Sequence, residues 1–164
     1  MTTKNRPIRK KPKSFTPIVF KISKEQQDAI KRPPRTSLNR FRSNQADATD
    51  WFNIAFRIRV GVHIAKAEYQ QQTVNDMSEA FTFCDVLYTR AKKDTGPDWT
   101  VSADEIDYLE SALDVVDIMQ DETTRRIQLD AHHTAKKLMG VYVKAFDEYL
   151  TRVKATQEEI MEVT

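Results

Sequence analysis

The sequence predicts an all-α protein, an antiparallel helical bundle of three to four main helices with an extended basic N-terminal arm. Three observations lead there. Only three glycines and six prolines occur in 164 residues, and 30% of residues are charged, a composition that suits helices better than turn-rich sandwiches or barrels. Apolar residues recur at spacings of three and four through most of the chain beyond residue 49. Charge is also segregated. Residues 1–42 hold thirteen Lys or Arg against Glu25 and Asp28, a balance of +11, and the remaining 122 residues hold thirteen bases against twenty-two acids, a balance of −9. A basic segment joined to an acidic body points to a polyanion, an acidic partner or the protein's own body as what the basic segment meets.

The arm spans residues 1–48. Met1 to Phe15 interleaves Lys and Arg with Pro7 and Pro12 and has too little apolar surface to offset the entropy of ordering its backbone. "PIVFKI" (17–22) is apolar enough to dock as a strand or extended segment. Ser23 with Gln26 forms a capping-box pattern for a short helix from Lys24 to about Lys31, which Pro33 and Pro34 stop. From there to about Ala48 the chain is polar and basic, with Leu38 and Phe41 as anchors.

The body, 49–164, begins with Thr49 as N-cap and an ambiguous stretch, "IAFRIRVGVHI" (54–64). Every second residue is apolar, opposite Arg57, Arg59 and His63, as in a half-buried strand. At helical spacing Trp51, Ile54, Ala55, Ile58, Val62, Ala65 and Tyr69 form an equally complete stripe. Eleven alternating residues would make a strand of roughly 36 Å, long for a strand and short of neighbours. The helix-favouring "AKAEYQQQ" that follows decides for a helix, despite Gly61.

Thr73 caps the next helix, which runs to about Lys93 with Val74, Met77, Phe81, Cys84, Tyr88 and Ala91 inward and Ala80 and Leu87 widening the face. "DTGPDWT" breaks it at Gly96 and Pro97. Ser102 and Glu105 form the strongest capping box, opening a helix that buries Ile106, Leu109, Leu113, Val116 and Met119. The last helical region covers Thr123 to Leu150 or beyond, with Ile127, Ala131, Ala135, Leu138, Tyr142, Ala145 or Phe146, Tyr149 and Val153 inward and a bend at Gly140.

The succession "RPIRKKPKSFTPIVF", "FRIRVGVHIAKAEYQQQTVNDMSEAFTFCDVLYTRAKK" and "WTVSADEIDYLESALDVVDIMQDETTRRIQLDAHHTAKKLM" resembles a group of small helical proteins encoded by proteobacterial phages and other mobile elements. The resemblance covers most of the chain to about residue 140, and "GVYVKAFDEYLTRVKATQEEIMEVT" departs from the group. It implies a mobile-element origin, carries no established activity and favours the helical reading of residues 50–70.

No motif points to catalysis or to a cofactor. His132 and His133, in "DAHHT", diverge by about 100° on a helix and cannot grip one metal as an i, i+4 pair would. His63 has no acidic neighbour in sequence. Cys84 falls on a buried stripe, where a thiol behaves as a small apolar group. Phosphate loops, paired-Cys zinc motifs and Ser-centred elbows are absent. One cysteine makes no internal disulfide, no apolar run approaches membrane-spanning length and no apolar signal core follows the basic start, so the expected location is cytoplasmic.

Two charged features remain. The basic segment contributes Lys4, Arg6, Arg9, Lys10, Lys11 and Lys13, then Lys31, Arg32, Arg35, Arg40 and Arg42, cations dense enough to hold nucleic acid by counterion release. Asp107, Glu110, Asp114, Asp117 and Asp121 follow steps of three and four and form one acidic ridge on a helix, either a solvated face or a docking surface for a basic partner. The expected role is therefore a non-enzymatic mobile-element accessory protein that binds DNA or RNA through the arm. One alternative is a protein-binding inhibitor or adaptor acting on a host complex, such as an anti-defence protein. Another is a strand-and-helix DNA-binding dimer in which Arg57 and Arg59 enter the major groove. Homo-oligomerisation is compatible with each.

Overall fold

The computed structural model describes residues 8–11 and 23–163. Five helices pack together: α1 (Lys24–Arg42), α2 (Ala48–Glu68), α3 (Gln71–Ala91), α4 (Ala103–Glu122) and α5 (Arg125–Val163). Between α3 and α4 the chain makes a minimal antiparallel pair, β1 (Lys92–Lys93) with β2 (Gly96–Pro97). Gly96 turns it with φ of 125°, a conformation that side-chain-bearing residues rarely adopt.

The largest departure from expectation is α1. Ser23 caps it as foreseen, accepting from the Gln26 N–H at 3.3 Å, but the helix continues through Pro33 and Pro34 for 19 residues. A proline inside a helix costs about 3 kcal/mol or more, because it cannot donate to the carbonyl four residues back and its ring crowds that carbonyl. Burial offsets much of this penalty, which falls twice here. Pro34, Ser37, Leu38 and Phe41 are buried on one face, and enclosing Leu38 and Phe41 contributes about 1.5–3 kcal/mol each. Residues 24–42 thus belong to the bundle, and the short helix and extended arm expected there are corrected. Asn44, at φ 55°, ends α1 in the left-handed conformation common at helix C-termini. The expected docking of 17–22 lies outside the described residues.

α2 settles the ambiguous stretch. Asp47, rather than Thr49, is the N-cap, in a capping box with Asp50. The helix lies at the centre of the molecule, against α1, α3, α4 and α5, so Ile54, Ala55, Ile58, Val60, Val62, Ile64 and Ala65 are all buried. A helix apolar nearly all round is the signature of such a position, and it satisfies alternating and helical templates at once. No strand forms at 54–64, which corrects the strand-and-helix reading. Gly61 has a specific reason: a Cβ there would lie 2.5 Å from Val116 Cγ2 and 3.3 Å from Met77 Sδ, so α2 and α4 approach through the missing side chain.

α3 begins at Gln71, two residues before the expected cap Thr73, which is itself buried. Every residue expected on its inner face is buried. In α4 the Ser102–Glu105 capping box closes with bonds of 3.2 and 2.8 Å. The five residues expected to be buried there are buried, joined by Tyr108, Ala112 and Gln120. α5 is one unbroken helix of 39 residues with no interruption at Gly140, about 58 Å at 1.5 Å per residue. Leu138 is 40% exposed and Met139 takes the inward position. α5 crosses α2 in the opposite direction, so that Phe56 meets His132 and Trp51 meets Tyr142.

Trp51, Tyr88, Trp99, Tyr142, Phe146 and Tyr149 join end to end in ring contacts with centroid separations of 4.8–6.2 Å. The Trp51 indole N–H donates to the Cys84 carbonyl at 2.9 Å. Tyr149 donates to the Lys93 carbonyl at 2.5 Å, which ties α5 to the β1–β2 turn. Among the described residues no helix is long and apolar enough to cross a membrane.

Candidate functional site

The cations and carboxylates singled out in the sequence are brought together, largely with each other. α1 lies along α4, and its basic residues close onto the acidic ridge. Lys31 meets Asp121 at 2.6 Å, Arg35 meets Asp114 at 2.7 Å and Asp117 at 2.8 Å, and Arg42 meets Glu110. Steps of four and seven along α1 match steps of four, three and four along α4, because each helix returns the same face every three or four residues. Asp107 has no ion pair among the described residues and lines a shallow hollow with Phe41 and Arg42. Most of the ridge is therefore occupied by α1 of the same chain.

Arg40 turns back to Asp50, with Nε 2.8 Å from Oδ2, and donates to the Gln45 carbonyl. Asp50, 5% exposed, also accepts from the Ser37 hydroxyl at 2.9 Å and the Asp47 N–H at 3.0 Å. Burial pushes its carboxyl up, but the Arg40, Asp47 and Ser37 bonds outweigh it and hold the group below the usual carboxylate range.

Arg57 is not offered to a groove of DNA. Its side chain is 2% exposed and donates from Nη2 to Asp117 Oδ1 at 2.8 Å. Asp117 thereby holds Arg57 and Arg35 together. Burial lowers the Arg57 pKa more than Asp117 raises it, yet an arginine so paired keeps its charge. Arg57 Nε and Nη1 find no acceptor among the described residues. Arg59 lies with its guanidinium 4.7 Å from the Phe81 ring centre, a cation–π contact within the bundle.

Residues 8–11 cross the junction of α2 and α3. The Lys11 N–H donates to the Glu68 carbonyl and the Gln70 N–H to the Arg9 carbonyl, at 2.7 and 3.0 Å. Lys10 Nζ donates to the Glu122 carbonyl at 2.5 Å and lies 3.6 Å from Glu68; Lys11 Nζ donates to the Lys66 carbonyl at 2.9 Å. Both ammonium groups thus sit on helix C-terminal carbonyls, where the helix dipole favours positive charge. Arg9 and Arg32 are exposed. Lys4, Arg6 and Lys13 lie outside the described residues.

The sequence reading missed the main concavity. α1 and α5 both pack on α2 but diverge, leaving an open trough of about 1270 Å³. Ile30, Pro33 and Pro34 form one wall, Phe52, Asn53, Phe56 and Arg57 the floor, and Met139, Gly140 and Val143 of α5 the other wall. Lys136, Lys144, Asp147, Glu148 and Arg152 edge it. His132, also lining it, lies 5.8 Å from the Phe56 ring, and its Nδ1 is 2.7 Å from the Gln128 carbonyl. Burial lowers the His132 pKa against that bond, with Arg57 adding to the fall, so the ring is neutral at pH 7. Its Nδ1–H then donates to Gln128. The spacing of the α5 residues could have pointed to a second, outward-facing stripe; the divergence of α1 from α5 could not be read from sequence.

Cys84 is fully buried, which raises its pKa far above that of a reactive thiol. His63 is shifted down by burial, then by Arg59 and Lys66. No three His, Cys, Asp or Glu residues among those described are grouped to hold a metal. No family model, curated protein or solved structure matches the chain.

Proposed function

We propose that this chain is a non-enzymatic protein-binding module, an adaptor or inhibitor, that receives its partner in the α1–α2–α5 trough. The observation that carries this reading is the trough itself. It leaves Phe52, Phe56 and Val143 along an open floor and wall with no helix of the described residues closed over them, while Met139 beside them is buried. An open concavity with an apolar floor and a charged rim has the anatomy of an interface.

The nucleic-acid reading is weakened by the same arrangement, since a cation already bound to a carboxylate releases fewer counterions on meeting a phosphate. Lys31, Arg35, Arg40, Arg42 and Arg57 are paired within the bundle. Arg9 and Arg32, both exposed, support a residual role near the N-terminus.

Photocrosslinking separates the two. A photoreactive residue in place of Val143, on the trough wall, should give a defined protein adduct in host cells, and one in place of Val86, 51% exposed on α3, should not. Equal labelling from both positions, or none from Val143, would remove the trough reading. Salt-sensitive binding to generic duplex DNA, abolished by Arg9→Glu with Arg32→Glu, would put the nucleic-acid role in its place.

A further inference from the structure

We infer that the trough takes a single amphipathic helix of a protein partner, one with a carboxylate near one end of its apolar stripe and a base about three turns away. This inference rests on the protein-binding reading and specifies the partner's chemistry. Three independent observations carry it.

The first is shape. The α5 residues lining the trough run from His132 to Arg152 at steps of three and four, so a single helical face is presented over about 30 Å. Ile30, Pro33 and Pro34 of α1 give the opposite wall and residues 52–57 of α2 the floor, so about one to two turns of this face are bounded on three sides by helices, the arrangement that receives a helix in a groove.

The second is Gly140. A glycine inside an exposed helix is unfavourable relative to alanine, and nothing among the described residues requires one there: none of their atoms lies within 4 Å of the position its Cβ would take. Gly61 is explained by Val116; Gly140 has no such neighbour and faces the trough. A missing Cβ on a groove wall lets a second helix backbone approach closely, as small residues do at helix–helix contacts.

The third is charge. In the trough Lys136 is exposed with no ion pair, and Arg57 on the floor has two buried N–H donors without acceptors, among the described residues. Buried donors of this kind are costly to leave unmade, and an entering carboxylate would satisfy them after side-chain adjustment of the sort common at interfaces. Asp147 and Glu148 lie eleven and twelve residues further along α5, about 17 Å away, between Lys144 and Arg152 on the same rim, and are the acids there that can meet a base on the partner. The two ends together fix the direction of the bound helix.

The test uses the full-length chain and two synthetic 18-residue peptides followed by fluorescence anisotropy. Both carry one Leu stripe at helical spacing. The first has Glu near one end and Lys eleven residues on; the second has Lys at both positions. The Glu peptide should bind at least tenfold more tightly. That advantage should vanish in the Arg57→Leu, Lys136→Gln double variant, and Gly140→Leu should weaken both peptides at least tenfold, with all variants checked for folding by circular dichroism. Equal affinity of the two peptides, or no effect of Arg57→Leu with Lys136→Gln in folded protein, would overturn the inference. So would the absence of binding by either peptide at 100-micromolar order. Adducts from position 143 in cells without peptide discrimination would leave the protein-binding reading standing and remove only the acidic-helix specification. Sedimentation of the wild-type chain as a dimer that Gly140→Leu dissociates would assign the trough to a second copy instead.

Discussion

Replacing Asp117 by Asn separates the structural role of Arg57 from its expected role as a reader of DNA. Asp117 is 19% exposed and holds two guanidinium groups, Arg57 at 2.8 Å and Arg35 at 2.8 Å. Removing one partner of a buried ion pair costs about 3–5 kcal/mol, because the other charge is left without compensation in a poorly polarisable site. Arg57, 2% exposed with Nε and Nη1 already unpartnered, has as its further acid Asp121, which is held by Lys31 at 2.6 Å. Arg35 keeps Asp114 at 2.7 Å, and the partial exposure of Asp117 moderates the loss. The expected destabilisation for Asp117→Asn is therefore about 3 kcal/mol, the lower end of that range. Arg57→Leu has a different sign of consequence. It removes the buried charge and its unmade bonds together, while Asp117 stays neutralised by Arg35, so stability should be unchanged or increase by about 1 kcal/mol. Urea denaturation followed by circular dichroism at 222 nm gives both values. An Asp117→Asn change within about 0.5 kcal/mol of wild type, the range of ordinary surface substitutions, would refute the account of the Arg57–Asp117–Arg35 arrangement. So would an Arg57→Leu loss as large as that of Asp117→Asn.

The two helix glycines should respond oppositely to alanine. Gly61→Ala forces Val116, stiff at χ1 and fully buried, away from a Cβ at 2.5 Å, an overpacking of about 1–3 kcal/mol against a propensity gain of about 1, whereas Gly140→Ala should raise stability by about 1 kcal/mol; thermal melts of the two variants read the difference. Asp50 makes stability depend on acid. Because its folded pKa is depressed, its contribution is complete above the unfolded value near 4 and disappears as pH falls through the lower folded value, so Asp50→Asn should flatten the stability profile below about pH 4 as followed by chemical denaturation. Reversing one tooth of the α1–α4 contact, Arg35→Glu, should destabilise, and adding Asp114→Lys should recover part of the loss. A double-mutant cycle with no coupling would show that Arg35 and Asp114 do not interact in solution.

Much of the secondary structure was legible from sequence because its signals are local. The Ser102–Glu105 box, the inner faces of α3 and α4 and the break at Gly96–Pro97 depend on hydrogen bonds and periodicities that span only a few residues. The segregation of charge into a basic and an acidic part was equally plain. Tertiary contact alone decided the rest. Pro33 and Pro34 read locally as a stop, yet Leu38 and Phe41 find an enclosed site against the bundle, and α1 passes through both prolines. "IAFRIRVGVHI" satisfied two periodicities because its helix is surrounded, a condition that neighbours four elements away impose. The basic segment and the acidic ridge were each visible, but which acids face which bases depends on α1 lying antiparallel to α2 and alongside α4. The trough depends on the angle at which α1 and α5 leave α2. Sequence fixes which surfaces are apolar or charged through short-range chemistry; the packing of whole helices determines which of those surfaces meet and which stay open.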